Sequence, residues 1–138
     1  MIDIGLTSGC FDLIHVGHLT YLQRCKAYCS KLIVGVDSDR LVRESKGSGR
    51  PIISEQQRRE MILNMGCVDS AFVFERLEDL DTIVKLMGIT KVFKHEGFKQ
   101  LDYVAGVSNT NAELIIIPDV PGLISSTEII NKIRGNYE

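Results

Sequence analysis

The ten residues Gly9–His18, which read Gly-Cys-Phe-Asp-Leu-Ile-His-Val-Gly-His, constrain the fold of this chain more than any other segment. An apolar, strand-like run over Ile2–Thr7 precedes them, and a helical pattern follows. The segment is therefore predicted to join a first strand to a helix, at the edge where open α/β sheets bind ligands. A helix start attracts anions through its free N–H groups and its dipole. His15 and His18 lie there with Gly17 between them, which favours a phosphate-binding loop.

Other interpretations of the two histidines stay open at this stage. A histidine near a helix start is most often a cap or a solvated side chain. A zinc site is a further alternative, because Cys25 and Cys29 of the next helix would add thiolates to the two imidazoles. Small cysteines on one helix face are also typical of a buried core. A Rossmann dinucleotide site is disfavoured, since no Gly-x-Gly-x-x-Gly follows the first strand.

Length and composition indicate an ordinary globular chain. With 138 residues it is long enough for one domain, residues 1–138, with a substantial core. A net charge of −2 gives no general attraction to nucleic acid or anionic membranes. The sequence shows neither a run of membrane-spanning length nor a signal-peptide pattern. The scattered cysteines favour reduced thiols. We therefore expect a cytoplasmic protein with neither nucleic acid nor membrane as partner.

Strand and helix signals alternate along the chain, which predicts a parallel sheet covered on both faces. The predicted strands are Ile2–Thr7, Leu32–Val36, Ala71–Phe74, Lys91–Lys94 and Leu114–Ile117. The predicted helices are Leu19–Tyr28, one that begins at a capping box at Ser54, Asp79–Met87, and Thr127–Arg134. Gly88 and Gly135 are expected to end the last two of these helices. A polar loop is predicted over Glu44–Ile53, and the pattern over Leu101–Val104 weakly favours a short helix.

Two further segments carry groups that suit phosphate. Lys46 and Arg50 flank small residues in Lys-Gly-Ser-Gly-Arg-Pro, so that a flexible loop presents one point charge and one bidentate cation. Ser125 and Glu128 form a second candidate capping box, where hydroxyls and free N–H groups gather. Loops that follow parallel strands meet at one sheet edge, so these two segments are expected beside the two histidines.

These motifs resemble the small cytidylyltransferase-like nucleotidyltransferases. The family includes glycerol-3-phosphate cytidylyltransferase, the adenylyltransferase domain of ADP-heptose synthase and archaeal FAD synthetase. The resemblance covers nearly the whole chain. It rests on Gly9–His18, Lys46–Pro51, the Glu-Gln-x-Arg helix start at Glu55–Arg58, Val68-Asp69, and Ile-Ser-Ser-Thr at Ile124–Thr127. It implies a Rossmann-like, doubly wound α/β fold with a five-stranded parallel sheet and helices on both faces.

The resemblance also implies a reaction and residue roles. A phosphate oxygen of an acceptor would attack the α-phosphorus of an NTP, and pyrophosphate would leave without a covalent enzyme intermediate. His15, His18 and Lys46 are the expected catalytic residues, and Mg²⁺ is the expected cofactor. The expected nucleotide-binding residues are Ser8, Gly9, Cys10, Phe11, Asp12, Gly17, Arg50, Arg58, Ser125, Ser126 and Thr127. Asp39 matches an acidic residue that follows the second strand in the cytidylyltransferases. The family also implies a homodimer.

The chain departs from each branch of the family. Glycerol-3-phosphate cytidylyltransferases carry arginines where this chain has Gly66 and the uncharged segment Val120–Leu123. The Lys46 loop resembles the heptose branch, but that branch has Lys-Gly-Gly-Asp-Tyr where this chain has Lys94–Phe98. CTP with a small phosphorylated alcohol such as glycerol 3-phosphate is the first expectation. ATP with a sugar 1-phosphate or FMN is the alternative within the class, and a non-catalytic nucleotide-binding protein is the alternative outside it.

Overall fold

The computed structural model describes residues 2–98 and 102–137, and it describes the side chains of these residues up to residue 135. Strands and helices alternate in most of the chain, as the sequence predicts. The strands are β1 (Ile4–Gly9), β2 (Lys31–Asp37), β3 (Ser70–Phe74), β4 (Lys91–His95) and β5 (Glu113–Ile117). The helices are α1 (Val16–Lys26), α2 (Asp39–Lys46), α3 (Glu55–Leu63), α4 (Glu78–Met87) and α5 (Ser126–Tyr137).

The five strands form one parallel sheet in the order β3-β2-β1-β4-β5. Strand β1 lies in the centre, where Thr7 pairs with Val34 of β2 on one side and Phe93 of β4 on the other. The sheet grows from β1 in both directions, because β2 and β3 lie on one side of it and β4 and β5 lie on the other. The expected doubly wound α/β fold is confirmed. Ligands of such sheets bind at this switch point, beyond the carboxyl ends of the strands.

Two hydrophobic clusters cover the two faces of the sheet. One joins Leu22 of α1 and Ile62 of α3 to the inward side chains of β2. The other joins Leu80 and Val84 of α4 to Leu6 of β1. Because both faces of the sheet are buried, β2 is an almost unbroken apolar run, which is what made it recognisable in the sequence.

The boundaries of the first two helices differ from the prediction. Helix α1 begins at Val16 instead of Leu19, because the His15 side chain caps it, and histidine is not a usual capping residue. Helix α2 occupies the start of the segment predicted as a polar loop, so Lys46 is its last residue. Ser38 caps α2 by accepting a hydrogen bond from the Leu41 N–H at 3.1 Å. The helix has only eight residues, six of which are polar or charged, so the sequence predicts a polar loop.

Smaller differences concern the ends of the other helices. Helix α3 begins after Ser54 as predicted, but the Ser54 side chain makes no capping hydrogen bond, so that capping box is wrong. Gly88 ends α4 in the left-handed conformation with φ 64°, which confirms its predicted role. Gly135 does not end α5 but lies within it. Of the predicted short helix, Leu101 lies outside the described residues, and residues 102–104 are not helical. No helix among the described residues is long and apolar enough to span a membrane.

Candidate active site

The site is built at the carboxyl end of β1, where the chain turns sharply into α1. Phe11 and Leu13 both have positive φ angles, 54° and 52°, which are unfavourable for residues with a Cβ. Such conformations persist where the surrounding contacts fix them, and they are concentrated at functional sites. The buried Phe11 ring anchors the turn in the core.

The two histidines cap helix α1 together. His15 is the N-cap, and its Nδ1 accepts a hydrogen bond from the Gly17 N–H at 3.0 Å. His18 lies three residues later, and its Nδ1 accepts one from the His15 N–H at 3.2 Å. Their ring centroids are 4.0 Å apart. The pair therefore forms a reciprocal capping box of the kind that serine and glutamate form in other helices.

This capping arrangement fixes the protonation state of both rings. An Nδ1 that accepts a hydrogen bond carries no proton, so a neutral ring must carry its proton on Nε2. Burial is the main cause that lowers the pKa of His18 to about 4, and the neighbouring His15 and Lys46 lower it further. Burial also lowers the pKa of His15. Near neutral pH both rings are thus uncharged Nε2–H donors, which suits them to phosphate oxygens.

Gly17 is required by the ring that caps the helix. A Cβ at this position would lie 2.8 Å from Cε1 of His15, closer than real Cβ contacts allow. Any other residue would push the His15 ring away from the helix start. The glycine between the histidines therefore serves the capping geometry directly.

Asp12 joins three segments around the histidines. Its carboxylate is buried and accepts hydrogen bonds from the Ile52 N–H at 2.7 Å and the Ile53 N–H at 2.9 Å. The Arg50 Nε lies 3.8 Å from the same carboxylate. The backbone oxygen of Asp12 accepts a hydrogen bond from Ser126 Oγ at the start of α5. Asp12 thus fixes the Lys46–Pro51 loop and α5 against the β1 turn.

Arg58 is a buried connector at the same sheet edge. Its guanidinium donates to the backbone oxygens of Ile53, Cys10 and Asp37 at 2.7–2.8 Å, and to the Asp39 carboxylate at 2.8 Å. The side chain is only 1% exposed. These contacts position the ends of β1 and β2, so the direct nucleotide contact expected of Arg58 stays a prediction.

A cleft of about 470 Å³, here called the central cleft, opens beside the histidines. Its lining combines β1-turn residues with charged side chains from four other segments. The lining residues are Ser8, Gly9, Cys10, Phe11, Gly17, His18, Tyr21, Asp37, Lys46, Lys94, His95, Phe98 and Asp119. Most of the predicted nucleotide-binding residues of the β1 turn therefore meet His18 and Lys46 in one cavity, whereas Asp12 and His15 are not among its lining residues.

A second cavity of about 270 Å³, here called the cationic cavity, shares Lys46 with the central cleft. Its charged lining residues are all cations. They are Lys46, Arg50 and Arg134, and the remaining wall comes from Gly49, Ile52, Thr127, Ile130 and Asn131. The arrangement is electrostatically suited to a polyphosphate and brings the Lys46 loop to the start of α5, as predicted.

The start of α5 uses its hydroxyls in two ways. Ser125 Oγ accepts a hydrogen bond from the Glu128 N–H at 3.1 Å, which confirms this half of the predicted capping box. Ser126 is occupied by its contact to Asp12. Thr127 lines the cationic cavity. Thr127 is thus the member of this motif that faces a cavity lined by cations.

A third cavity of about 310 Å³ lies on the other side of Tyr21 and Gly17. It includes the uncharged Val120–Leu123 segment in which the cytidylyltransferases carry an arginine. Here Arg24 of α1 reaches the segment and donates to the Pro118 backbone oxygen at 3.0 Å. A cation therefore lines this part of the site although the segment itself contributes none.

The cysteines occupy separate environments. Cys25 is fully buried in the core, and Cys10 lines the central cleft with its thiol pKa raised mainly by burial. Within residues 2–98 and 102–137, no three His, Cys, Asp or Glu side chains are grouped as a metal site requires. Cys25 and Cys29 thus pack as core residues, the second interpretation that the sequence allowed.

Two charged residues of the central cleft, Asp37 and Lys94, were not among the predicted site residues. They lie at the carboxyl ends of β2 and β4, the strands on either side of β1. The available signal was positional, because a charged residue at the end of a buried parallel strand faces the ligand edge. Recognising it required the order of the strands, which the sequence pattern does not contain.

Comparison with known proteins agrees with this geometry. The family model described as "Cytidylyltransferase-like" matches residues 6–132. The bifunctional protein HldE of Geobacter metallireducens is 37% identical over 139 residues, covering 97% of this chain and 27% of the relative. HldE of Koribacter versatilis is 35% identical over 132 residues, covering 94% and 26%. The chain thus spans about a quarter of the length of these relatives.

Solved structures show the same fold at lower identity. The lipopolysaccharide core biosynthesis protein of Thermoplasma volcanium has a TM-score of 0.68 at 22% identity, covering 87% of this chain and 98% of that one. TmcAL of Thermotoga maritima, bound with alpha-thio ATP, has a TM-score of 0.66 at 16% identity, covering 99% and 51%. The motifs, the fold and the family match agree. The chain belongs to the cytidylyltransferase-like family of nucleotidyltransferases.

Proposed function

We propose that this protein transfers the adenylyl group of ATP to a sugar 1-phosphate, in the manner of an ADP-heptose-type adenylyltransferase, and releases pyrophosphate. The similarity to HldE proteins over nearly the whole chain supports a sugar phosphate over glycerol 3-phosphate. The sequence supports the same choice, since the Lys46 loop resembles the heptose branch. The observation that carries the proposal is the capped histidine pair beside two cavities that share Lys46.

In this proposal catalysis comes from positioning and charge stabilisation. The acceptor phosphate oxygen attacks the α-phosphorus, the bond to the bridging oxygen breaks, and pyrophosphate leaves with the electron pair. The Nε2–H groups of His15 and His18 donate to the oxygens of the crowded α-phosphorus. Lys46, between the two cavities, neutralises charge on the bridging oxygen as it develops. Arg50 and Thr127 hold the departing pyrophosphate.

Mg²⁺ is part of the proposal as a companion of the triphosphate. Magnesium sites in nucleotide enzymes commonly use substrate phosphates and water with only one or two carboxylates. The carboxylate of Asp119, which lines the central cleft, fits such a sparse donor set. The ion would supply charge neutralisation on the phosphate oxygens.

A pyrophosphate-release screen tests the proposal. The protein is incubated with Mg²⁺ and each of the four NTPs, against sugar 1-phosphates, glycerol 3-phosphate, phosphoethanolamine and FMN. Release that requires both ATP and a sugar 1-phosphate supports the proposal. Release with CTP and a polyol phosphate would replace it with the first expectation from the sequence. NTP binding without release in any combination would favour the non-catalytic alternative.

A further inference from the structure

Asp37 and Lys94 are two opposite charges in the central cleft whose charged groups have no hydrogen-bond or ion-pair partner among the described residues. Both side chains are half-buried and line the same cavity as His18 and Lys46. Among the described residues, none donates a hydrogen bond to the Asp37 carboxylate and none accepts one from the Lys94 ammonium. The nearest feature to that ammonium is the Phe98 ring, with Nζ 5.5 Å from its centroid. Removing charges from water is costly unless they are paired, so these groups are placed to meet a ligand.

Their spacing follows from the sheet. Strands β2 and β4 flank β1, so their backbones are separated by two inter-strand steps, about 10 Å. The floor between them is the end of β1 at Ser8 and Gly9, which has no large side chain. A small polar molecule on this floor reaches a carboxylate on one side and an ammonium on the other.

The electrostatics supports a shared environment for the two groups. Burial is the main cause that raises the pKa of Asp37, while Arg58, Lys46 and Lys94 act in the opposite direction. Burial likewise lowers the pKa of Lys94, and Asp37 opposes that shift. The Arg58 guanidinium donates to the Asp37 backbone oxygen and to the Asp39 carboxylate, so it does not pair with the Asp37 carboxylate.

The geometry of in-line transfer indicates which substrate Asp37 and Lys94 contact. The attacking and leaving oxygens stand on opposite sides of the α-phosphorus, so the acceptor and the pyrophosphate must bind on opposite sides of that atom. The two cavities that share Lys46 are the two candidate sides. The cationic cavity has only cations among its charged lining residues and suits pyrophosphate. A carboxylate repels polyphosphate but accepts hydrogen bonds from hydroxyl groups. The central cleft, with Asp37 and Lys94, is therefore the side that suits a phosphorylated polyhydroxyl molecule.

We propose that Asp37 and Lys94 form the acceptor subsite, with Asp37 binding hydroxyl groups of a sugar phosphate and Lys94 binding its phosphate. This inference rests on the proposed function, because it takes the direction of attack from nucleotidyl transfer. It assigns substrate specificity to the ends of β2 and β4. The phosphate bound by Lys94 then carries the oxygen that attacks the nucleotide held by the histidines.

The test compares Asp37→Asn and Lys94→Met, which preserve side-chain shape, with the wild-type protein. The exposed residues Lys85 and Glu113 provide matched controls as Lys85→Met and Glu113→Gln. Each site variant should raise the KM for the sugar 1-phosphate about ten- to a hundredfold, which is the range for the loss of a hydrogen bond to a charged group. The KM for ATP should stay within about twofold of the wild-type value. Lys94→Arg should recover part of the loss. A raised KM for ATP with an unchanged acceptor KM would overturn the inference.

Calorimetric titration separates this inference from the proposed function. Glucose 1-phosphate and phosphoethanolamine are titrated into the protein saturated with a non-hydrolysable ATP analogue and Mg²⁺, so no turnover is needed. Weaker binding of glucose 1-phosphate to both site variants, even without turnover in the screen, supports the subsite. Equal binding to wild type and both variants overturns it. Tighter binding of phosphoethanolamine than of glucose 1-phosphate, abolished in Asp37→Asn, would contradict the assignment of Asp37 to hydroxyl groups.

Discussion

The imidazole of His18 has two separate contacts to maintain, one within helix α1 and one to the substrate phosphate. His18→Ala removes both, whereas His18→Gln keeps an acceptor at the position where glutamine usually completes a capping box. We expect both variants to lower kcat by about 10²–10³-fold, the usual cost of losing one transition-state donor. The KM for ATP should change far less. Steady-state kinetics and thermal unfolding check this, and the glutamine variant should unfold closer to wild type than the alanine variant.

An unchanged kcat in His18→Gln would show that His18 only caps the helix. A parallel loss of ATP affinity and turnover would show ground-state binding instead of transition-state stabilisation. For the unfolding measurements His95→Gln is the matched control, because His95 lines the same cleft but its side chain is exposed.

The depressed pKa of His18 makes the folded protein sensitive to acid. The unfolded chain binds a proton on this ring near pH 6.5, whereas the folded ring does so only near pH 4. Stability from this group is therefore complete above pH 6.5 and declines as the pH falls towards 4. The loss is at most about 3 kcal/mol and smaller with solvent screening. Urea unfolding at pH 7 and pH 5 should show that the free energy of unfolding declines less in His18→Gln than in wild type. Equal declines would contradict the lowered pKa of His18.

At the scale of elements, Lys46 has a different setting from the one that the sequence predicts. It ends α2, and Gly47 follows with φ 98°, so the flexible tether begins after the charge instead of surrounding it. Two Asp12 hydrogen bonds then fix the chain again at Ile52 and Ile53. The predicted flexible loop is thereby confined to the few residues between these anchors, and we expect this segment to close over bound phosphates as a lid.

We expect Lys46→Ala to raise the KM for ATP and lower kcat while leaving the unfolding temperature within about 2 °C, because an exposed helix end contributes little to the core. Limited proteolysis tests the lid itself. Tryptic cleavage after Lys46 should be suppressed by ATP with Mg²⁺ if residues 47–51 close over the phosphates. ATP binding without protection would show that the loop is not a lid, and wild-type kinetics would show that Lys46 is only a surface charge.

The elements also show what the sequence could and could not predict. The Gly9–His18 motif was recognisable because it places two histidines and a glycine at the start of a helix. Strand β2 was recognisable from its unbroken apolar run, and Gly88 from the preference for glycine at the end of a helix. Helix α2 was missed because it is short and polar. Asp37 and Lys94 were missed because their proximity depends on the strand order, which is a property of the whole sheet.

At the scale of the whole molecule, a large cavity lies outside the proposed transfer site. It is an apolar groove of about 790 Å³ between the β1 turn, α3 and α5. Met61 in its wall is 57% exposed. Because the family resemblance implies a homodimer, we expect this groove to take part in the interface. Sedimentation at micromolar concentration should show a dimer that Met61→Glu weakens. Leu86→Glu, at an exposed position of α4, should leave the dimer unchanged. A wild-type monomer would contradict the expectation.

Transfer of the α-phosphorus is the central claim, and double labelling measures it directly. The protein is given a sugar 1-phosphate, Mg²⁺ and ATP labelled either at the α- or at the γ-phosphorus. We predict that the α-label appears in a nucleotide sugar and the γ-label in pyrophosphate, with both products absent in His18→Ala on the same timescale. Appearance of the γ-label in the sugar product, or of the α-label only in ADP, would contradict nucleotidyl transfer.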